Sequence, residues 1–154
     1  MTTIATILDK LPYSVNDNWT LHPFKKQAIL IESKIAAGSP APGEDAYEEK
    51  PLDFNEYLIK NDKASTYAMR VTGSSMINAG IYEGDILVVD RSLMPKMGKV
   101  VVACVDGEFT VKRLCKKGTA YYLCAENPAF KDIDISQSFE TAIWGVVTNV
   151  IKDL

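Results

Sequence analysis

Two serines and a lysine are the residues of this chain whose surroundings invite chemistry. Ser74 and Ser75 stand in Thr72-Gly73-Ser74-Ser75-Met76, directly after the alternating stretch Thr66-Tyr67-Ala68-Met69-Arg70-Val71 and ahead of the apolar run Ile86-Leu87-Val88-Val89-Asp90. A glycine at a strand exit lets the backbone turn sharply, which presents a hydroxyl where a nucleophile would stand. The same composition serves an ordinary polar turn, because Gly and Ser dominate loops. A serine hydroxyl attacks only when a base takes its proton, so the choice between the two readings rests on a partner.

That partner is sought in Gly98 to Leu114, where two β-rich runs flank Asp106-Gly107. Asp-Gly between such runs predicts a two-residue hairpin of type I′, since both central residues of that turn need positive φ. On the return strand, alternation puts Phe109, Val111 and Arg113 on one face and Glu108, Thr110, Lys112 and Leu114 on the other. Lys112 thus shares a face with an apolar leucine. A lysine buried there loses stability in its charged form and can serve as a neutral general base; a solvated edge lysine is the alternative. The chain's only histidine, His22, stands in a Pro-punctuated stretch and reads as a surface residue. With no histidine in the body of the chain, lysine is the natural base for Ser75.

The ordered blocks Gly73-Ser74-Ser75-Met76, Gly84-Asp85-Ile86-Leu87-Val88-Val89-Asp90 and Asp106-Gly107-Glu108-Phe109-Thr110-Val111-Lys112-Arg113-Leu114 resemble the LexA/UmuD family of self-cleaving Ser-Lys peptidases, and its UmuD-like members most. The resemblance runs from about Ala36 to the C-terminus. It implies Ser75, the serine directly before Met76, as nucleophile and Lys112 as general base. It implies the bond between Ala37 and Gly38 as the cleavage site, and the backbone N–H groups of Ser75 and Met76 as oxyanion donors. By neighbourhood alone, and not from the resemblance, Thr72 or Thr110 would orient the lysine. Further implications are a homodimer, stimulation by a RecA filament on single-stranded DNA, and a trimmed product that partners a translesion polymerase of the UmuC type in SOS mutagenesis. Two other functions are open: an interaction module of the same fold that does not cleave, and a phage-type peptidase or antirepressor that cuts another protein in trans.

The rest of the chain has to position these residues. At 154 residues it suits one modest domain with an appendage, and its formal net charge of −3 offers no basic stripe for a phosphate backbone. Direct sequence-specific DNA binding is therefore not expected, and residues 1–37, with Pro12 and Pro23 inside, are too short for a helix-turn-helix domain. Three cysteines without Cys-x-x-Cys spacing argue against a disulfide framework and a zinc site, so the expectation is a cytoplasmic chain with no metal and no cofactor. No run approaches the roughly 18 apolar residues that span a bilayer.

Residues 1–37 read as an extended N-terminal arm removed on self-cleavage, within which Phe24 to Ala37 suits a helix after Pro23 or, through Ile29-Leu30-Ile31, a strand. Residues 38–51, rich in Pro, Gly and acid, read as a flexible linker. Residues 52–154 read as the peptidase domain. Asp53-Phe54-Asn55-Glu56 has capping-box spacing and opens one short helix to about Ile59 or Lys60. Beyond Lys63, short apolar runs separated by turns predict strands over 67–71, 86–90, 99–105, 109–114, 120–124 and 142–151, with Trp144 as a core anchor. The expected fold is mainly β, a compact mixed sheet.

Overall fold

The structure, a computed structural model, describes residues 28–31, 35, 37–39, 48–61 and 65–154, so the expectations for residues 1–27, for His22 and for Pro40 to Tyr47 fall outside the described residues. The chain divides into two compact units, Met1–Tyr57 and Leu58–Leu154. In the first, β1 (Ala28–Ile31) pairs antiparallel with β2 (Glu49–Leu52), Ala28 facing Leu52 and Ile31 facing Glu49. Ile29 to Ile31 are therefore extended rather than helical. The predicted linker runs into this strand at Glu49, so its last three residues belong to paired structure. Helix α1 (Phe54–Leu58) follows and stops just short of its expected end. Its start obeys capping logic: the Asp53 carboxylate Oδ1 accepts from the Asn55 N–H at 2.9 Å, and the Asp53 carbonyl accepts from Tyr57 N–H at 2.9 Å.

The second unit is built on one seven-stranded sheet. Its strands are β3 (Thr66–Arg70), β4 (Ile86–Asp90), β5 (Val100–Val105), β6 (Glu108–Lys117), β7 (Ala120–Cys124), β8 (Ile133–Asp134) and β9 (Ile143–Ile151), in the order β3-β4-β9-β5-β6-β7-β8. Every pairing is antiparallel, where a mixed sheet was expected. The reason is the last strand. Being antiparallel to both neighbours, β9 makes β4 and β5 run in the same direction, yet it lies between them and removes the parallel pair that would otherwise form. Gly145 permits this insertion: a Cβ there would stand 2.7 Å from Val89 Cγ1 on β4. Helix α2 (Phe139–Ala142), one turn long, leads into β9.

The central strands are buried on both faces, which accounts for their unbroken apolar runs. Along β5, Val101 and Ala103 join Leu114, Leu123, Ile135, Ala142 and Val146 in one cluster, while Val102 joins Val71, Met76, Ile81, Leu87 and Val89 in another. The second cluster lies under the serine turn. Trp144 is half-buried beside it rather than central, edge-on to Tyr67 and Phe109 with Arg91 stacked on its ring at 4.7 Å. The Asp106-Gly107 hairpin has φ of 50° and 82° at its two central residues, as a type I′ turn requires, and it sets the register that places Lys112 opposite Val101. Strand β6 runs on through Lys116 and Lys117, past the 109–114 expected for it; both are exposed at the strand's end.

Candidate active site

The serine turn is made by backbone demands on either side of it. Gly73 sits at φ 81°, the left-handed region that glycine enters without Cβ strain, and the chain then bends through Ser74 and Ser75. Met76 follows and is only 1 % exposed. Its side chain plugs the second cluster, and its carbonyl accepts from the N–H groups of Ala79 at 3.0 Å and Ile81 at 3.2 Å, closing the 3-10 turn Ile77–Ala79. A buried anchor directly after Ser75 thus leaves the half-exposed serine little freedom to shift relative to the sheet.

Lys112 comes from the centre of β6 and is 6 % exposed. Its Nζ lies 2.7 Å from Ser75 Oγ, 2.9 Å from Thr110 Oγ1 and 3.1 Å from the Val111 carbonyl. All three partners are neutral. Burial holds the lysine below its usual pKa, because an ammonium taken from water into this setting meets dipoles rather than a countercharge. When the lysine is charged, it donates to Ser75; when it is neutral, the serine hydroxyl donates to it. The second arrangement is the one general-base catalysis uses. Of the two threonines considered as orienting residues, Thr110 makes the contact, while Thr72 lines the cleft beside Ser75.

That cleft, about 110 Å³, opens between Ser75 and the apolar side chains of Met69, Val71, Leu87, Phe109 and Val111. The serine turn also has a second support, to which the sequence reading assigned nothing. The Glu126 N–H donates to the Ser75 carbonyl at 2.9 Å, and Asn127 Nδ2 donates to the Ser74 carbonyl at 2.9 Å. Among the described residues, the N–H groups of Ser75 and Met76 donate to no backbone carbonyl. Ala37 and Gly38 belong to the other unit, where they are exposed in a bend, and a Cβ built on Gly38 would meet nothing within 4 Å. The described residues contain no helix long and apolar enough to cross a membrane.

Comparison with known proteins agrees with the ordered motifs. The family model described as Peptidase S24-like matches residues 29–148. Protein ImpA of Salmonella typhimurium is 42% identical over 128 residues, covering 79% of this chain and 81% of the relative. Protein MucA of Escherichia coli is 43% identical over 122 residues, covering 75% of this chain and 78% of the relative. The LexA repressor of Shewanella sp. (strain ANA-3) is 35% identical over 149 residues, 94% of this chain and 66% of the repressor. A family match over most of the chain, with relatives of this identity, establishes that the chain belongs to the peptidase S24-like family as a UmuD-like member of the LexA/UmuD group.

Proposed function

We propose that the chain is a UmuD-like SOS mutagenesis protein, a serine peptidase that cuts its own bond between Ala37 and Gly38 with Ser75 as nucleophile and Lys112 as general base. The observation that carries the reading is the 2.7 Å approach of Lys112 Nζ to Ser75 Oγ in a setting of neutral partners. Neutral Lys112 takes the hydroxyl proton as Oγ bonds to the Ala37 carbonyl carbon, giving a tetrahedral oxyanion. Collapse of that intermediate breaks the Ala37–Gly38 C–N bond, and the lysine returns the proton to the departing Gly38 nitrogen. The resulting acyl-Ser75 is hydrolysed by a water whose proton goes to Lys112. This leaves a carboxylate on Ala37 and restores the serine.

Small residues on both sides of the bond suit an extended segment entering a narrow cleft, where effective concentration does much of the work. On this reading residues 1–37 are the arm that is lost, the linker runs from Gly38 to the start of β2 at Glu49, and 52–154 hold the peptidase domain. A RecA filament on single-stranded DNA promotes docking of the cleavage segment, and the trimmed homodimer serves a UmuC-type translesion polymerase in the cytoplasm.

Intact-mass spectrometry after incubation with RecA, nucleotide and single-stranded DNA tests the proposal. The expected product begins at Gly38, and Gly38→Glu is expected to block its formation by forcing a large charged side chain into a narrow site where the scissile bond must lie close to Ser75. A product cut elsewhere, or normal cutting of Gly38→Glu, overturns the assignment of the bond.

A further inference from the structure

The backbone around Ser75 is gripped from behind by the loop after β7. We propose that Glu126 and Asn127 are positioning residues that aim the N–H groups of Ser75 and Met76 at the oxyanion, an inference that rests on the Ser75–Lys112 reading above. In a planar trans peptide unit the carbonyl and the N–H point in opposite directions. The unit joining Ser74 to Ser75 has its carbonyl on Asn127 Nδ2 at 2.9 Å, so the Ser75 N–H faces away from the loop. The unit joining Ser75 to Met76 has its carbonyl on the Glu126 N–H at 2.9 Å, so the Met76 N–H also faces away. These are the two peptide units flanking the nucleophile. A donor bound to each carbonyl keeps the unit from rotating and polarises it, which strengthens the N–H at its other end. Catalysis by such donors depends on their direction being set before charge develops, since reorienting them during the reaction would cost part of the stabilisation.

The loop is itself braced. The Glu126 carbonyl accepts from the Asn78 N–H at 2.9 Å, and the Glu126 carboxylate accepts from Arg113 Nε. Arg113 also donates to the Gly98 carbonyl at 2.7 Å. Asn127 Oδ1 accepts from the Ala129 N–H at 3.0 Å, so both ends of the amide are used and its orientation is defined. Arg113 directly follows Lys112, and neighbouring residues on a strand point to opposite faces. One strand therefore presents the base on one side and, through Arg113 and Glu126, braces the oxyanion donors on the other.

The test is the rate of self-cleavage of the full chain, followed by intact mass across pH, together with the thermal midpoint of each variant. Asn127→Asp keeps the acceptor for Ala129 N–H and loses the donor to Ser74; Asn127→Ala removes both without adding charge. Both are expected to lower the alkaline plateau roughly 10- to 100-fold, in protein that is still folded, and Asn127→Ala is expected to leave the midpoint of the pH dependence in place. Asn127→Asp cutting at the unmodified rate overturns the inference. So does slowing that only tracks the unfolded fraction, or a shifted pH midpoint for Asn127→Ala with an unchanged plateau, which would place the loop's effect on the lysine. Failure of the unmodified chain to cut under any condition, RecA filament included, removes the reading beneath it and the inference with it, whereas a normal rate in Asn127→Asp beside an inert Ser75→Ala removes the inference alone.

Discussion

Two of the three lysines on strand β6 have opposite electrostatic fates. Lys112, at its centre, is buried against two hydroxyls and a carbonyl, and burial lowers its pKa. Lys117, at its exposed end, has Nζ 2.6 Å from Asp132 Oδ2, and that hydrogen-bonded carboxylate raises its pKa. The strand geometry is the same. The difference lies in what replaces water around each nitrogen: neutral dipoles leave an ammonium undercompensated, while a carboxylate rewards it. Lowering the pKa of a lysine on this strand thus goes with burial among uncharged partners.

The largest expected effect comes from breaking the pair at Lys112. Ser75→Ala, Lys112→Ala and Lys112→Arg are each expected to lower self-cleavage by about 10³-fold or more at every pH, the arginine because a guanidinium stays protonated. In the unmodified chain cleavage without RecA is expected to quicken from neutral pH toward about pH 10, as the neutral lysine accumulates. Gel or mass quantification of the cut fraction decides both points. A flat pH profile, or an active Lys112→Arg, would show that another group is the base.

Thr110→Asp would give Lys112 the kind of partner that Lys117 has. It is expected to raise the lysine's pKa and move the pH profile to more alkaline values, with a loss of about tenfold at neutral pH for each unit moved. An unmoved profile in folded Thr110→Asp would mean that position 110 does not set the charge state of Lys112.

A smaller effect concerns stability. The folded-state pKa of Lys112 lies below that of the unfolded chain, so the unfolded state binds more protons between the two values and stability rises with pH through that window. Below the folded pKa the burial cost is fully present. Lys112→Met is therefore expected to raise the thermal midpoint at neutral pH, with the gain shrinking under alkaline conditions. A gain that grows with pH would contradict the assigned direction.

The smallest effect is expected at Lys117. Its partnership works with the charged form, so any stabilisation is present at neutral pH and is lost as pH rises through the raised pKa, but at this exposure solvent screens it. Lys117→Met should leave the cleavage rate and its pH profile as they are. A shifted profile would mean that charge at the end of β6 is felt at its centre.

How much of this could be read without the fold differs from one element to the next. Local chemistry is legible: Asp106-Gly107 specifies its hairpin because both residues take positive φ, and alternation then puts Thr110 and Lys112 on one face, where the structure finds them in contact. The cap at Asp53 is legible for the same reason, since its acceptor and donor stand two residues apart. Register beyond the hairpin is not. The strand β8 (Ile133–Asp134) has too few residues to show a period, and nothing near Ile143 to Ile151 announces that this strand enters between β4 and β5.

By itself the sequence determined the glycine-hinged serine turn, the hairpin that carries Lys112 and the family to which both belong. Only the tertiary structure decided that Nζ stands 2.7 Å from Oγ, that Thr110 and not Thr72 completes the lysine's surroundings, and that Glu126 and Asn127 grip the serine backbone. The physical reason is range. Turns, caps and alternation are set by dihedrals and neighbours a few residues apart, whereas burial of a charge and the contact of Asn127 with Ser74 depend on which strands pack together, and that depends on where the last strand inserts.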